Sequence, residues 1–325
     1  KSQALFHVAA QKLFAPVALD PDLPAWPDLR KEEVWIEETP KGGGTLPVAI
    51  QPRLKIAILN LMPLKEPTEL QLSRMLGRTN AMVEITWCVP DKYSGKNSAP
   101  GHLDKFYKRF SQMKGETFDG FIVTGAPIEH LPFEDVNYWP ELMGFFDRIK
   151  EMDAGMLSLC WGAMASLWHF HRVPKHLTMH KQFGVYPHAL RDRSHPLLHG
   201  IDGNVGIPVS RHTTWKEEDF VGKDGIEVLL SSKKTGPALV WDPALRHAHM
   251  INHFEYDVDT LGGEYWRDVK QGTPTGETIS VPFNYFPGDS PQNPPPHSWK
   301  AAGQNFYSNW VQTLLRGGDG RQRGR

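Results

Sequence analysis

The sequence predicts an α/β fold: a mostly parallel sheet with helices on both faces, extra antiparallel strands late in the chain, and a C-terminal helix. Two observations carry that prediction. From Leu54 onward, strand-length apolar runs alternate with longer segments of helical periodicity, as in parallel sheets joined by crossover helices. The composition, 40% hydrophobic and 22% charged over 325 residues, is that of a globular chain able to hold one large domain or two small ones.

Taken in order, Ala4 to Leu13 fits a short amphipathic helix, and Pro16, Pro21, Pro24 and Pro27 exclude a long one. With the flexible turn Lys41-Gly42-Gly43-Gly44, residues 1–50 read as an arm that wraps the domain or reaches a second subunit. Organised structure is expected from Leu54, in a single domain over residues 51–316. Leu54–Met62 reads as a core strand stopped by Pro63, with helix Glu66–Leu76 behind it. Val83–Val89 alternates and reads as a second strand, in which Cys88 is core filler. Leu103–Phe110 is a helix, Phe118–Gly125 a third strand, Trp139–Met152 a helix and Met156–Cys160 a fourth strand. Lys181–Tyr186 and Gly206–His212 read as short strands or loops over the site. Ile226–Ser231, Ala238–Trp241 and His247–Asn252 are expected as antiparallel strands, Leu261–Lys270 and Trp299–Leu315 as helices, and residues 317–325 as a disordered tail rich in glycine and arginine.

The formal net charge of −1 argues against nucleic acid or an anionic membrane as partner. No apolar run is long enough to cross a bilayer, and the N-terminus does not read as a signal peptide. The two cysteines, Cys88 and Cys160, make no disulfide framework and fit a reducing cytoplasm.

The chemistry centres on Met156-Leu157-Ser158-Leu159-Cys160-Trp161-Gly162-Ala163. An apolar strand runs into a helix of small residues, with a cysteine at the junction. Such a turn lifts a nucleophile out of the sheet and aims helix N–H groups at its sulfur. In parallel sheets, ligands bind beyond the carboxyl ends of the strands, so Asn60–Lys65, Gly125–Glu129 and Cys160 are expected at one rim. His253 and Glu255 stand two apart, on the same side of an extended chain. A carboxylate there fixes the imidazole tautomer and leaves the other nitrogen to deprotonate a thiol or alcohol. His169, His171, His176 and His180 cluster in sequence, but helical continuation splits the first two and no zinc-like spacing joins them, so no metal is expected. Lys65, Lys181 and Arg267 are cations near predicted functional loops. Arg267 either pairs with Glu264 on its helix or grips a substrate carboxylate. No glycine-rich phosphate or dinucleotide motif follows a strand.

At these residues the chain resembles the homoserine O-acyltransferase family, whose members transfer succinyl or acetyl groups. The matching stretches include Leu59-Asn60-Leu61-Met62-Pro63, Thr124-Gly125-Ala126-Pro127, Cys160-Trp161-Gly162-Ala163, Ser210-Arg211-His212-Thr213, Glu255-Tyr256-Asp257 and Ser308-Asn309-Trp310. The resemblance runs from about residue 54 to 315 and implies a flavodoxin-like fold of the class I glutamine amidotransferase type. It further implies a ping-pong reaction in which Cys160 takes the acyl group from acyl-CoA, His253 is the general base and Glu255 orients it. Lys181, Ser210 and Arg267 match positions that hold the amino-acid substrate. Lys65 and the backbone at Trp161 are candidates for the oxyanion site. Glu129 matches the position tied to acyl choice, where glutamate goes with acetyl and glycine with succinyl transfer. The implied partners are acetyl-CoA as co-substrate, with no other cofactor, a hydroxy amino acid and a second copy of the chain in a homodimer.

The chain departs from the family pattern in places. Asn252 and Phe254 replace the glycine and proline that usually flank the catalytic histidine, Leu64 replaces one lysine of a pair, and Ala302 stands where a histidine is usual. Asn252 and Phe254 are expected to reshape the acceptor pocket, which opens serine as an alternative to homoserine.

Overall fold

The structure is a computed structural model describing residues 14–39, 52–95, 97–273, 276 and 278–318. The helix expected over residues 4–13, the turn at 41–44 and the tail beyond 318 lie outside the described residues. In chain order the elements are β1 (Val17–Leu19), α1 (Trp26–Lys31), β2 (Ile36–Glu38), β3 (Arg53–Leu59), α2 (Lys65–Leu76), β4 (Met82–Val89), α3 (His102–Phe106), β5 (Tyr107–Arg109), β6 (Gly120–Val123), α4 (Trp139–Glu151), β7 (Gly155–Leu159) and α5 (Trp161–His171). There follow β8 (His176–Leu190), β9 (Val205–Thr214), β10 (Glu227–Ser232), β11 (Gly236–Asp242), β12 (His247–Met250), α6 (Thr260–Gln271) and α7 (Lys300–Gly318).

The strands join in the order β2-β1-β4-β3-β6-β7-β12-β11-β10-β8-β9, with β5 added beside β4. The first seven run parallel, and the last four continue antiparallel. Register places the rim: Val123 lies opposite Ser158, and Leu159 opposite Met250. The residues just beyond β3, β6, β7 and β12 therefore emerge side by side, as parallel topology requires.

Helices cover both faces. On one, Leu72 and Leu76 of α2 share a core with Trp310, Val311 and Leu314 of α7. On the other, Phe146 and Ile149 of α4 meet Met164 and Leu167 of α5. Helix α4 forms because Trp139, Leu142, Phe145, Phe146 and Ile149 fall on one stripe behind Pro140 in the first turn. Gly120 and Gly155 are opposite in register and seat Leu314; a Cβ at either would come within 2.6 Å of that side chain.

Five expectations are corrected. Organised structure starts before Leu54: β1 pairs parallel with β4, and Val17, Leu19, Leu23 and Leu29 are buried in the main core, so residues 14–39 extend the sheet. Strands of three residues held by backbone pairing leave little trace in side-chain periodicity. The segment expected as helix to Phe110 ends at Phe106, and Tyr107–Arg109 pairs with β4 instead. The expected short strands at 181–186 and 206–212 are parts of one long ribbon, β8 with β9. Strand β12 is antiparallel only to β11; toward β7 it is parallel. Helix α7 also runs on to Gly318, into the segment expected to be tail.

Candidate active site

Cys160 closes β7 and opens α5 with φ 49° and ψ −121°, a left-handed backbone at a non-glycine residue. Such a conformation costs about 1–3 kcal/mol and persists only where the surroundings enforce it. Here they do. The Cys160 amide donates to the Met250 carbonyl at 2.8 Å, which ties the turn to β12. Gly162 lets the helix approach β6: a Cβ there would sit 2.5 Å from the Thr124 carbonyl. At Gly125 an added Cβ would lie 3.0 Å from Cys160 Cβ, so the sulfur's side of the turn needs a bare backbone. Behind the turn, Ser158 of β7 and Ser166 of α5 both meet His249 Nδ1, at 2.8 and 2.7 Å. That buried network stitches strand to helix.

His253 lies just beyond β12, its amide donating to the Pro208 carbonyl at 3.0 Å. Its Nδ1 is 2.6 Å from Glu255 Oε1. The pair does not sit on extended chain as expected; it spans a turn, and the contact comes from chain reversal. The Tyr307 hydroxyl of α7 reaches Glu255 Oε2 at 3.4 Å, and the Tyr256 ring stacks on His253 with centroids 4.1 Å apart. Burial alone would lower the imidazole pKa, but the Glu255 carboxylate and the hydrogen-bonded Cys160 sulfur outweigh it and raise the value to about 10. Cys160, His253 and Glu255 thus form one connected line.

Lys65 is buried, and burial pushes its ammonium down to about 7 against the pull of Glu69. Its Nζ donates to the carbonyls of Asn60 and Met62, both at 2.7 Å, and to the Tyr93 hydroxyl at 2.8 Å. An ammonium carries three donors, so Lys65 shapes the loop after β3 and has none left for an oxyanion. The loop's own amides are engaged too: Leu61 donates to Thr124 Oγ1 and Met62 to Asn60 Oδ1. The amide of Trp161 stands at the start of α5, where no carbonyl lies one turn back to engage it. Its indole is buried in the core.

Strand β9 spans the site. At one end Thr213 Oγ1 and the His212 amide donate to the Glu129 carboxylate at 2.6 and 2.9 Å. At the other, Ser210 Oγ donates to Glu264 Oε2 at 2.5 Å. Between them the fully buried Arg211 donates to Asn252 Oδ1 and to the carbonyls of Thr213 and Thr235. Burial lowers its pKa to about 10, and the charges on Cys160 and Glu129 oppose that fall.

Lys181 reaches the same Glu264 oxygen at 3.1 Å because β8 bulges. Between Leu177, opposite Thr213, and Gln182, opposite Arg211, the register jumps, and the extra residues turn Lys181 toward α6. Lys181 also lies 3.6 Å from Asp268. Arg267 pairs with Asp268, not with Glu264. Lys181, Ser210 and Arg267 are therefore brought together around two carboxylates. Of these, Glu264 stood out in the sequence only as a possible partner for Arg267, and Tyr256, which reaches Glu264 at 3.5 Å and stacks on His253, only as part of the stretch Glu255-Tyr256-Asp257. This cluster can hold a zwitterion beside the imidazole.

The family departures fall elsewhere than expected. Phe254 is fully buried against Phe306 of α7, and Gly303 makes room for it: a Cβ there would lie 2.7 Å from the Phe254 carbonyl. Asn252 is also buried, between Arg211 and His188. Neither side chain is aimed at the cluster around Glu264. Of the sequence-clustered histidines, His169, His171 and His176 face separate carboxylates, Asp147, Asp242 and Asp219. Cys88 is fully buried in β4, where burial raises its thiol.

The sequence profile of the homoserine O-succinyltransferase family matches residues 16–316. Homoserine O-acetyltransferase of Rhizorhabdus wittichii is 40% identical over 301 residues, covering 93% of this chain and 91% of that protein. The enzyme of the same name from a Ruegeria species is 40% identical over 301 residues, covering 93% and 94%. Among solved structures, a glutamine amidotransferase from Thermotoga maritima superposes with a TM-score of 0.50 at 10% identity, covering 81% of this chain and 97% of that one, which speaks to the fold alone. With a strained cysteine elbow, a carboxylate-backed imidazole and a match along nearly its whole described length, the chain belongs to the homoserine O-succinyltransferase family of acyltransferases.

Proposed function

We propose that the protein moves an acetyl group from acetyl-CoA to the side-chain hydroxyl of L-homoserine, by way of an acetyl-Cys160 thioester, in the cytoplasmic synthesis of methionine. The observation that carries this is the line Cys160–His253–Glu255 at the strand-to-helix turn. In the first half-reaction the Cys160 thiolate, its proton held by His253, attacks the thioester carbonyl carbon. The carbon–sulfur bond to CoA then breaks, and the departing thiolate takes a proton from His253. In the second, His253 removes the proton of the acceptor hydroxyl, whose oxygen attacks the acetyl carbon and expels Cys160 as thiolate. Glu255 stabilises the imidazolium that each half-reaction requires. The oxyanion of each tetrahedral intermediate is met by the Trp161 amide at the positive end of α5. No cofactor is needed beyond the co-substrate.

The acceptor's ammonium fits Glu264, and its carboxylate fits Lys181 and Arg267. Glu129 fills the far end of the acyl site, and its charge opposes a succinyl carboxylate. Homoserine is favoured over serine because Phe254 is turned into the α7 core and does not shorten the pocket. The test is intact mass after mixing with acetyl-CoA. An acetyl adduct at Cys160 should form, disappear on adding homoserine, and be absent in Cys160→Ala. No adduct with His253 intact, or faster discharge by serine than by homoserine, would overturn the reading.

A further inference from the structure

An acyl-CoA is far longer than the acetyl group it delivers, and the arm between its sulfur and its nucleotide must lie against protein outside the acyl site. The surface beside Glu129 has the composition for this. Leu177 is 64%, Met179 89% and Leu131 42% exposed. Scattered exposed apolar residues need no explanation, but these three lie on the segments tied to Glu129. Leu177 is paired with Thr213, which donates to Glu129. The Leu131 and Glu129 carbonyls share the Lys175 ammonium. The His130 and His212 rings stand 5.0 Å apart at the same edge.

Met179 is displayed by construction. It sits in the bulge of β8, which Thr178 Oγ1 pins through the carbonyls of His180 at 2.8 Å and His212 at 3.0 Å. The patch leads to the nucleophile: Thr213 Oγ1 is 3.1 Å from the Met164 sulfur, and Met164 lies one turn into α5 from Cys160. We infer that Leu131, Leu177 and Met179 form the platform for the pantetheine arm of the acyl-CoA donor, with the His130–His212 pair at its polar edge. The arm alternates short apolar segments with amides, so it needs an apolar floor with donors at the side, and a polarizable methionine adapts to such a chain. This rests on the acetyl-CoA reading above.

The experiment compares two donors on the full-length protein: acetyl-CoA, and S-acetyl-N-acetylcysteamine, which keeps the thioester and first amide but lacks the rest of the arm. Met179→Asp should raise the KM for acetyl-CoA about tenfold, since it removes the burial of one apolar side chain. The KM for homoserine and the rate with the truncated donor should not change, and Met179→Leu should keep the wild-type KM. Equal effects on both donors, or an unchanged acetyl-CoA KM, would overturn the platform while the acetyl-transfer reading stands. Failure of the wild-type protein to consume acetyl-CoA would instead remove that reading, and the platform with it.

Discussion

Gly162→Ala is the sharpest probe of the turn that presents Cys160. The new Cβ would meet the Thr124 carbonyl at 2.5 Å, the Val123 carbonyl at 2.9 Å and Val123 Cγ1 at 3.0 Å. Two of these are backbone atoms of the neighbouring strand and cannot rotate away. Ordinary contact starts near 3.4 Å, so the first turn of α5 must retreat by about 0.9 Å from the Thr124 oxygen (3.4 less 2.5). Overpacking of this kind costs about 1–3 kcal/mol. A displacement near 1 Å at a nucleophile costs roughly a hundredfold in rate. Urea unfolding should give the first figure, and the rate of acetyl-Cys160 formation the second. Gly144→Ala in the exposed part of α4 meets nothing within 4 Å and should stabilise by about 0.5–1 kcal/mol, which controls for helix propensity. A Gly162→Ala protein with wild-type stability and acetylation rate would refute the argument that close helix–strand approach sets the position of the sulfur.

Further outcomes follow from the same geometry. Because the folded-state pKa of His253 is raised from 6.5 to about 10, its protonated form contributes stability that is fully present below pH 6.5 and lost as pH rises through 10. Glu255→Gln removes the strongest raising influence and leaves burial in charge, so the imidazole pKa should fall and that alkaline loss should flatten in urea titrations from pH 6 to 10. Glu129→Gly frees the His212 amide and the Thr213 hydroxyl to receive a carboxylate, and kcat/KM for succinyl-CoA should rise by about a hundredfold in a thiol-release assay. Glu264→Gln should raise the homoserine KM by about tenfold to a hundredfold, the range for losing one charged hydrogen bond, with acetyl-Cys160 formation unchanged; Arg267→Ala should do the same.

Much of this site was legible because its chemistry depends on local sequence. Leu157–Leu159 followed by Gly162 and Ala163 can hardly be other than a strand meeting a close-packed helix, and a cysteine at the junction marks the turn. The spacing of His253 and Glu255 foretold their contact through the wrong geometry, since a turn and not extended chain brings Nδ1 of His253 to Glu255. What was not legible depends on direction or on register. Apolar periodicity is the same for parallel and antiparallel strands, so nothing in His247–Met250 foretold that one side would run parallel to β7. The bulge that turns Lys181 toward α6 arises from an offset between two strands, which neither strand encodes alone. Phe254 looked like a change in the pocket because it adjoins His253, but its room is supplied by Gly303, distant in the chain.

The parallel pairing of β7 with β12 also bears on how the protein is made. Cys160 and His253, proposed as nucleophile and base, follow neighbouring strands, yet the ribbon β8–β9 and the pair β10–β11 are translated between them. A nascent chain that has only reached α5 displays the thiol but lacks His253. On the proposed mechanism, activation of that thiol waits until the final third has left the ribosome and the late strands have closed against the early ones. Such distant pairing folds slowly, and on that mechanism a product truncated before His253 would transfer no acyl group.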